Sequence, residues 1–501
     1  MNNFFNKEIF KTRKFKYGSV ATAFIVIFIA LILVINVIIT ALDNKFGLYI
    51  DTTKEKIYDV GDESRAILDS IDSDIEIIFC RDRDKLASNT YMNMVVTLAE
   101  NYERLYPNIK VKFCDIARNP KEVEKFKETT SSKLYATSVI VNCPDTGKYK
   151  VYTNNTAFFT FTENNTSAPY GFNGEMRFTS AIISVTGSAN DKIVFTVGHG
   201  ETVSSSSFIE IFQNAGYSAD SVLSIDLSTQ DIPDNTKLVI ISNPLYDFAG
   251  EAEELSGSVN EISKLKKYLN SFGNLFVLIN NQTEELPEIS ELLKEDYGIS
   301  WHSGETVKDT EKSVSADGLG IISQYNDSED DTYAYKITKE ITSASSSKTV
   351  MSNTTPLYIN KDKQSLKVSP VLMSSDKAQV TLLGKEISKG QSVLMAVSTY
   401  TQYVNNEEKT SNVIVSGSTD FSSASYISSA TYANADVVYS ILKLAGRQQV
   451  PINIEFRPFE DTGISDISMS SIKNTAVVLS LVFPAIILAA GIVVWRRRKS
   501  L

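Results

Sequence analysis

The chain has 501 residues, 43% of them hydrophobic and 22% charged, with 12 Pro, which excludes a disordered chain and, at this length, a single compact core. Its net charge is −11; setting aside nine basic residues near the two ends and Glu8 leaves 40 basic against 59 acidic residues, a surplus of about 19 negative charges. Such a surface repels a phosphate backbone, so a nucleic-acid partner is excluded.

From Gly18 to Leu42 the chain reads GSVATAFIVIFIALILVINVIITAL, without a charge. As a helix rising 1.5 Å per residue, this run predicts a membrane span. A second uncharged run, Thr475 to Trp495, predicts another. Lys7, Lys11, Arg13, Lys14 and Lys16 precede the first, and Arg496, Arg497, Arg498 and Lys499 follow the last. Basic flanks stay cytoplasmic, so the expectation is a two-pass protein of the bacterial cell membrane with both termini inside. The first run is too long for a cleaved leader and no small-residue cleavage site follows it. The expected layout is a basic tail at 1–17, a transmembrane helix at 18–42, extracellular domains at 43–188 and 189–450, a linker at 451–474, a transmembrane helix at 475–495 and a basic tail at 496–501.

The first outer domain opens with the β-rich run IEIIFC from Ile75. Between Asn89 and Tyr106, Val95, Leu98, Ala99, Tyr102 and Leu105 recur at helical spacing and predict one apolar stripe. IKVKFCDI from Ile109 predicts a strand, Asn119 and Pro120 a helix start, and SVIVNC and KYKVYT two strands around the turn PDTG. A helix near Gly174 to Thr186 completes the order expected of a thioredoxin-like α/β domain. Cys80, Cys114 and Cys143 form no CxxC and have no metal-ligand spacing, so buried thiols are expected rather than a bridge or a redox pair.

The second domain opens with IVFTV at Ile193 to Val197, a continuous run of the kind buried on both faces of a parallel sheet. The helix FIEIFQNA from Phe208 stops at Gly216; Lys237 to Ser242 is the next strand, Val259 to Ser271 a helix and Leu275 to Asn280 a third strand. This alternation predicts a doubly wound sheet. From about Ile299 to Leu366 polar turns separate short runs such as TYAYKI, which predicts a β-rich insertion. SVLMAVS and NVIVS then resume the α/β pattern, and Val437, Val438, Ile441 and Leu442 give the helix Asn434 to Ala445 its buried face.

The sharpest local feature is Gly198, His199, Gly200 and Glu201 at the carboxyl end of the first strand of that sheet, where such folds bind ligands. The glycines would admit close backbone approach, and His199 with Glu201 could bind a metal or move a proton. A metal needs a third ligand, and the other histidine, His302, lies in the insertion. A tight turn whose side chains satisfy its own backbone explains the same residues. Asp420, in GSTDF after NVIVS, sits at an equivalent strand end, as partner across the crevice or as a local cap. G-x-S-x-G, a phosphate loop, G-x-G-x-x-G and H-E-x-x-H do not occur, so no catalytic residues, no metal and no cofactor are expected. Energy for any transport would come from another chain.

Three blocks resemble one family. IDTTKEKIYDV from Ile50, with SRAIL and IEIIF, is similar to the segment after that family's first span. FTVGHGE at Phe195 to Glu201, followed by IPDNTKLVIISNP, is its most recognisable stretch; the third block runs from SVLMAVSTY through NVIVSGSTDF to YANADVV. The family is the auxiliary component of gliding-motility-type ABC transporters, the GldG family, also described as uncharacterised ABC-transport auxiliary proteins. The resemblance implies a non-enzymatic, solute-binding-like subunit acting with a separate ABC ATPase and a multi-span permease, and an outer domain related to non-catalytic members of the glutamine-amidotransferase fold. An active amidotransferase needs a nucleophilic cysteine at a strand-to-helix elbow, and none of the three cysteines lies in the second domain. The other reading is a structural or signalling envelope protein that binds a protein or a cell-wall polymer without transport.

Overall fold

The structure is a computed structural model that describes residues 26–35 and 56–459, except 128–132, 162–167, 188–190, 203–204, 256, 330–331, 343–347, 361–365, 430 and 455. The chain divides into two compact units, Met1–Arg457 and Pro458–Leu501. Of the second, only Pro458 and Phe459 are among the described residues.

The α/β character of the chain is observed, but the two expected transmembrane helices are corrected. Among the described residues no helix is long and apolar enough to cross a membrane. Of the run 18–42, residues 26–35 are described, and they are helical. Residues 18–25, 36–42, the whole of 475–495 and both basic tails lie outside the described residues. The two-pass placement, with cytoplasmic termini and an extracellular middle, falls with the spans.

Residues 56–187 form a first lobe around α1 (Asp62–Leu68), β1 (Ile75–Phe79), α2 (Thr90–Leu105), β2 (Ile109–Phe113), β3 (Val139–Cys143), β4 (Lys148–Tyr152) and α3 (Gly174–Thr186). The sheet order is β2-β1-β3-β4, with β1 parallel to β2 and the other pairs antiparallel. Asn89 caps α2 by accepting from Met92 N at 2.9 Å, and the stripe Val95, Leu98, Ala99 and Tyr102 is fully buried. Glu175, at the start of α3, ties the lobe together. Its carboxylate accepts from Gly61 N at 2.7 Å, Ser64 Oγ at 2.7 Å and Arg457 Nη2 at 2.9 Å, so α1, α3 and the end of the unit meet on one buried charge. Cys80, Cys114 and Cys143 are free and buried. Burial pushes the Cys80 and Cys114 thiols up to about 11.

The second lobe is built on an eight-stranded sheet. Its strands are β5 (Lys192–Val197), β6 (Val222–Asp226), β7 (Thr236–Ser242), β8 (Leu275–Leu278), β9 (Gln324–Tyr325), β10 (Leu366–Met373), β11 (Val393–Val404) and β12 (Glu407–Ser416). Across the sheet they run β9-β10-β11-β12-β8-β7-β5-β6. β6, β5, β7, β8 and β12 are mutually parallel, whereas β11, β10 and β9 extend the sheet antiparallel. SVLMAVS and NVIVS therefore form a long hairpin rather than another parallel crossover.

Both faces of the sheet are buried, and alternate residues divide between them. Phe195, Ile240, Phe276 and Ile414 join one apolar core, with α4 (Ser206–Asn214), α6 (Thr332–Thr342) and α7 (Asn434–Leu444). Val194, Val239, Val277 and Val415 join the other, under α5 (Glu261–Asn270). α6 corrects the reading of TYAYKI as β-like. Ala334, Ile337, Thr338 and Ile341 are all buried at helical spacing, and packing of that stripe outweighs the β preference of the tyrosines.

The C-terminal ends of α3, α4 and α7 converge on Arg447, which is 8% exposed. Its Nε donates to Ala215 O, the C-cap of α4, at 2.7 Å, and its guanidinium lies 5.2 Å from the Tyr217 ring centre. A Cβ on Gly216, where φ is +90°, would sit 2.0 Å from Arg447 Nη2, so glycine there serves both the backbone conformation and the close approach. Lys148 Nζ adds a second cation by donating to Gly187 O, the C-cap of α3, at 2.8 Å. Among the described residues no carboxylate pairs with Arg447. Its countercharge is the negative ends of the helices.

Candidate functional site

In the sheet order, β6 follows β5 on one side while β7 lies on the other, so the strand order reverses between β5 and β7. The loops leaving those two strands border the place where doubly wound folds take ligands. Gly198 and Gly200 both have positive φ, 114° and 77°, which turns the chain sharply out of β5. At Gly200 a Cβ would sit 3.0 Å from Leu245 Cβ on the facing loop.

The two loops are stitched together. His199 O accepts from Leu245 N at 2.8 Å and Tyr246 N at 2.9 Å, and Thr202 N donates to Ser242 O at 3.0 Å. Ser242 Oγ returns a bond to Thr202 O at 2.9 Å. Backbone groups that could have met a ligand are thus spent on each other.

His199 lies beneath this seam, 6% exposed, with its ring stacked on Phe248 at 3.9 Å. Its Nδ1 is 3.0 Å from Glu201 Oε1 and its Nε2 is 2.9 Å from Glu261 Oε2. Both carboxylate side chains are 3% exposed. Two carboxylate acceptors require both ring nitrogens to donate, so the ring is an imidazolium. Burial pulls its pKa down, but the hydrogen bonds and charges of Glu201 and Glu261 outweigh that and carry it up to about 9. Burial works against the Glu201 carboxylate as well, and the bond to His199 reverses the effect and holds it below its ordinary value. Glu201 also accepts from His199 N at 2.7 Å, and Glu261, in the first turn of α5, from Ala249 N at 2.8 Å.

A ring held in this way has no lone pair with which to take a proton or ligate a metal. Among the described residues no group of three His, Cys, Asp or Glu side chains could hold a metal ion. Of the candidates, Gly198, His199, Gly200 and Glu201 come together as a self-satisfied turn. Asp420 does not join them. It follows β12, three strands from β5, about 14 Å at ordinary strand spacing, and it accepts from Asn353 Nδ2 at 2.6 Å.

Several residues of this edge had no signal in the sequence reading. Glu261 and Phe248 complete the histidine cluster from segments 49 and more residues away, and the Asn-Glu pair opening α5 looks like an ordinary cap. A row of polar side chains also crosses the carboxyl ends of four parallel strands. Asn243 Nδ2 donates to Thr202 Oγ1 at 3.4 Å, Asn280 Nδ2 to Asn243 Oδ1 at 3.4 Å, and Asn280 Nδ2 to Thr419 Oγ1 at 2.9 Å.

Comparison with known proteins is sparse. Residues 54–157 match a family described as "Domain of unknown function (DUF7088)", which takes in β1 to β4 and less than half of the chain. No curated protein matches. Among solved structures, a chain described as "Cytoplasmic Protein STM3548 from Salmonella typhimurium" aligns at 11% identity with a TM-score of 0.30, covering 50% of this chain and 98% of that one. A likeness at that level carries no argument about fold or function.

Proposed function

We propose that the chain is a non-enzymatic accessory of an ABC transporter, a binding subunit that acts with a separate ATPase and permease. The observation that carries the non-catalytic part is the Glu201–His199–Glu261 cluster. The one histidine at the ligand edge of the sheet is a buried imidazolium with both nitrogens occupied, which suits a structural clasp and not a base or nucleophile activator. The three cysteines support the same reading, because all are buried in the first lobe and two have raised pKa values, far from the thiolate an acyl-transfer nucleophile requires. The transporter part rests on the Gly198–Glu201 block and the two flanking blocks that resemble the GldG family.

The test is co-purification of the full chain, tagged and expressed in its own host. The expected result is recovery of one chain bearing a phosphate-binding loop and one multi-span permease in constant ratio to the bait. Recovery of the bait alone under several mild extraction conditions would sink the transporter assignment.

A further inference from the structure

Two hairpins of the second lobe close with the same tight turn and fill it differently. Val404 pairs with Glu407 where β11 joins β12, and the two residues between them, Asn405 and Asn406, have φ of +53° and +65°. In the hairpin formed by the strands Gln379–Leu382 and Lys385–Lys389, Leu382 pairs with Lys385, and the two residues between them, Leu383 and Gly384, have φ of +50° and +77°. Such a turn needs left-handed backbone at both central positions, which asparagine and glycine tolerate. Leucine suits it poorly, because its Cβ crowds the following carbonyl oxygen.

Leu383 is also 92% exposed, so burial within the fold does not offset that strain. Leu382 before it and Ile387 on the returning strand are exposed as well. One exposed leucine needs no explanation. A strained one, on a hairpin with two further exposed aliphatic side chains, marks a contact surface. The hairpin is firmly based: Val307, Ala378 and Val380 are buried, Thr381 Oγ1 donates to Thr306 O at 3.3 Å, and Gly390 N donates to Ala378 O at 2.9 Å. The tip therefore stands out preformed.

Charge narrows the occupant. The strands Glu305–Lys308, Gln379–Leu382 and Lys385–Lys389 form one sheet, with three lysines against two glutamates in a chain whose net charge is −11. Glu305 is buried and accepts from Tyr358 Oη at 2.6 Å, and Glu386 lies 3.6 Å from Lys389 Nζ. Lys385, exposed and next to the turn, has no carboxylate partner among the described residues. Lys308, Gln379 and Lys389 share one row across the sheet, three residues behind Leu382, about 10 Å at ordinary strand rise. An aliphatic tip with one lysine beside it and two behind matches the edge of an anionic bilayer. The aliphatic groups enter the acyl boundary while the lysine stems reach back to the phosphates. An apolar pocket on a protein would accommodate Leu383 and gain nothing from the lysines.

We infer that the hairpin tipped by Leu383 docks on the surface of an anionic bilayer. The contact crosses nothing, so it is separate from the spans corrected above. It also goes beyond the transporter reading: association with an ATPase and a permease can fail while the tip still meets lipid, and the converse holds.

The test uses the full chain with an environment-sensitive dye on Ser388→Cys, in the hairpin of Leu383, or on Gln402→Cys, in the hairpin of Asn405; both positions are exposed. The native thiols are buried, and the unsubstituted chain carried through the same labelling supplies the background. On vesicles of equimolar phosphatidylcholine and phosphatidylglycerol, nitroxide-bearing lipids should quench the dye at 388 and leave the dye at 402 unchanged. Quenching at 388 should be weaker on phosphatidylcholine alone. Leu383→Asn should abolish it and keep or raise the melting temperature, since asparagine suits the turn.

Five results would each overturn the inference: no quenching at 388, equal quenching at 402, no preference for phosphatidylglycerol, quenching unchanged in Leu383→Asn, or a lower melting temperature in that variant. A shift of dye emission that grows with protein concentration in the absence of vesicles would place the tip in a second protein molecule and overturn it as well.

Discussion

Two buried cations hold the second lobe at different places, and they are balanced in different ways. His199, at the loop leaving β5, is flanked by two full carboxylates; Arg447, where three helices end, has the Ala215 carbonyl and a tyrosine ring and, among the described residues, no carboxylate. The carboxylates create the histidine's charge, since burial alone would keep the imidazole neutral. The guanidinium brings its own charge at any ordinary pH, and helix ends suffice to keep it. One clasp therefore depends on protonation and the other does not.

The largest expected effect comes from removing the cation that has formal partners. His199→Leu keeps the contact with Phe248 but leaves Glu201 and Glu261 facing each other in a buried site. Loss of about 3–5 kcal/mol is expected, read from the midpoint of urea unfolding.

Next is the pH dependence of the unaltered chain. The folded pKa of His199, about 9, lies above its ordinary value of 6.5, so the protonated ring is favoured by the fold. Its contribution is complete below about pH 6.5 and is lost as pH rises through about 9, a change of about 3 kcal/mol. Unfolding midpoints between pH 6 and 10 should fall along this curve in the wild type and stay flat across it in His199→Leu. A wild-type curve without the drop would mean that the ring is neutral and the pairing misassigned.

Smaller again is Arg447→Met, which fills similar space and orphans the neutral carbonyl of Ala215. About 2 kcal/mol is expected, and the drop through pH 9 should persist unchanged. A loss equal to that of His199→Leu would remove the distinction between the two clasps.

How far the fold was legible depended on where packing acts. IVFTV and NVIVS read directly as strands because both sheet faces are buried and each run is apolar or β-branched apart from Asn412 and Ser416 at the ends of the second. β6, VLSID, is not legible, since an edge strand with half-exposed residues carries no continuous run. TYAYKI misled because its alternation and its helical stripe overlap, and only the core beneath Ala334, Ile337 and Ile341 selects the helix. The antiparallel turn of β11 onto β12 could not be read from composition, as strand direction leaves little trace in short apolar runs. The apolar lengths at 18–42 and 475–495 point to spans; among the described residues, which include 26–35 of the first run and none of the second, no helix is long and apolar enough to cross a membrane.

At the candidate site, Gly198, His199, Gly200 and Glu201 announced themselves because a tight exit from a buried strand needs glycine. Their chemistry did not. Whether His199 is a base or a buried cation is decided by Glu261, which no spacing rule connects to it. Asp420 shared a strand-end position with the motif, but the strand order, which periodicity does not contain, separates the two.

The three thiols all reside in the first lobe and are buried, Cys80 and Cys143 completely and Cys114 to 6% exposure. Folding consequently needs no oxidant, and the molecule carries a natural reporter confined to one half: a maleimide dye will attach to Cys80 and Cys143 when the smaller sheet opens. Labelling speed would then read the breathing of that half alone, even while the larger sheet stays intact.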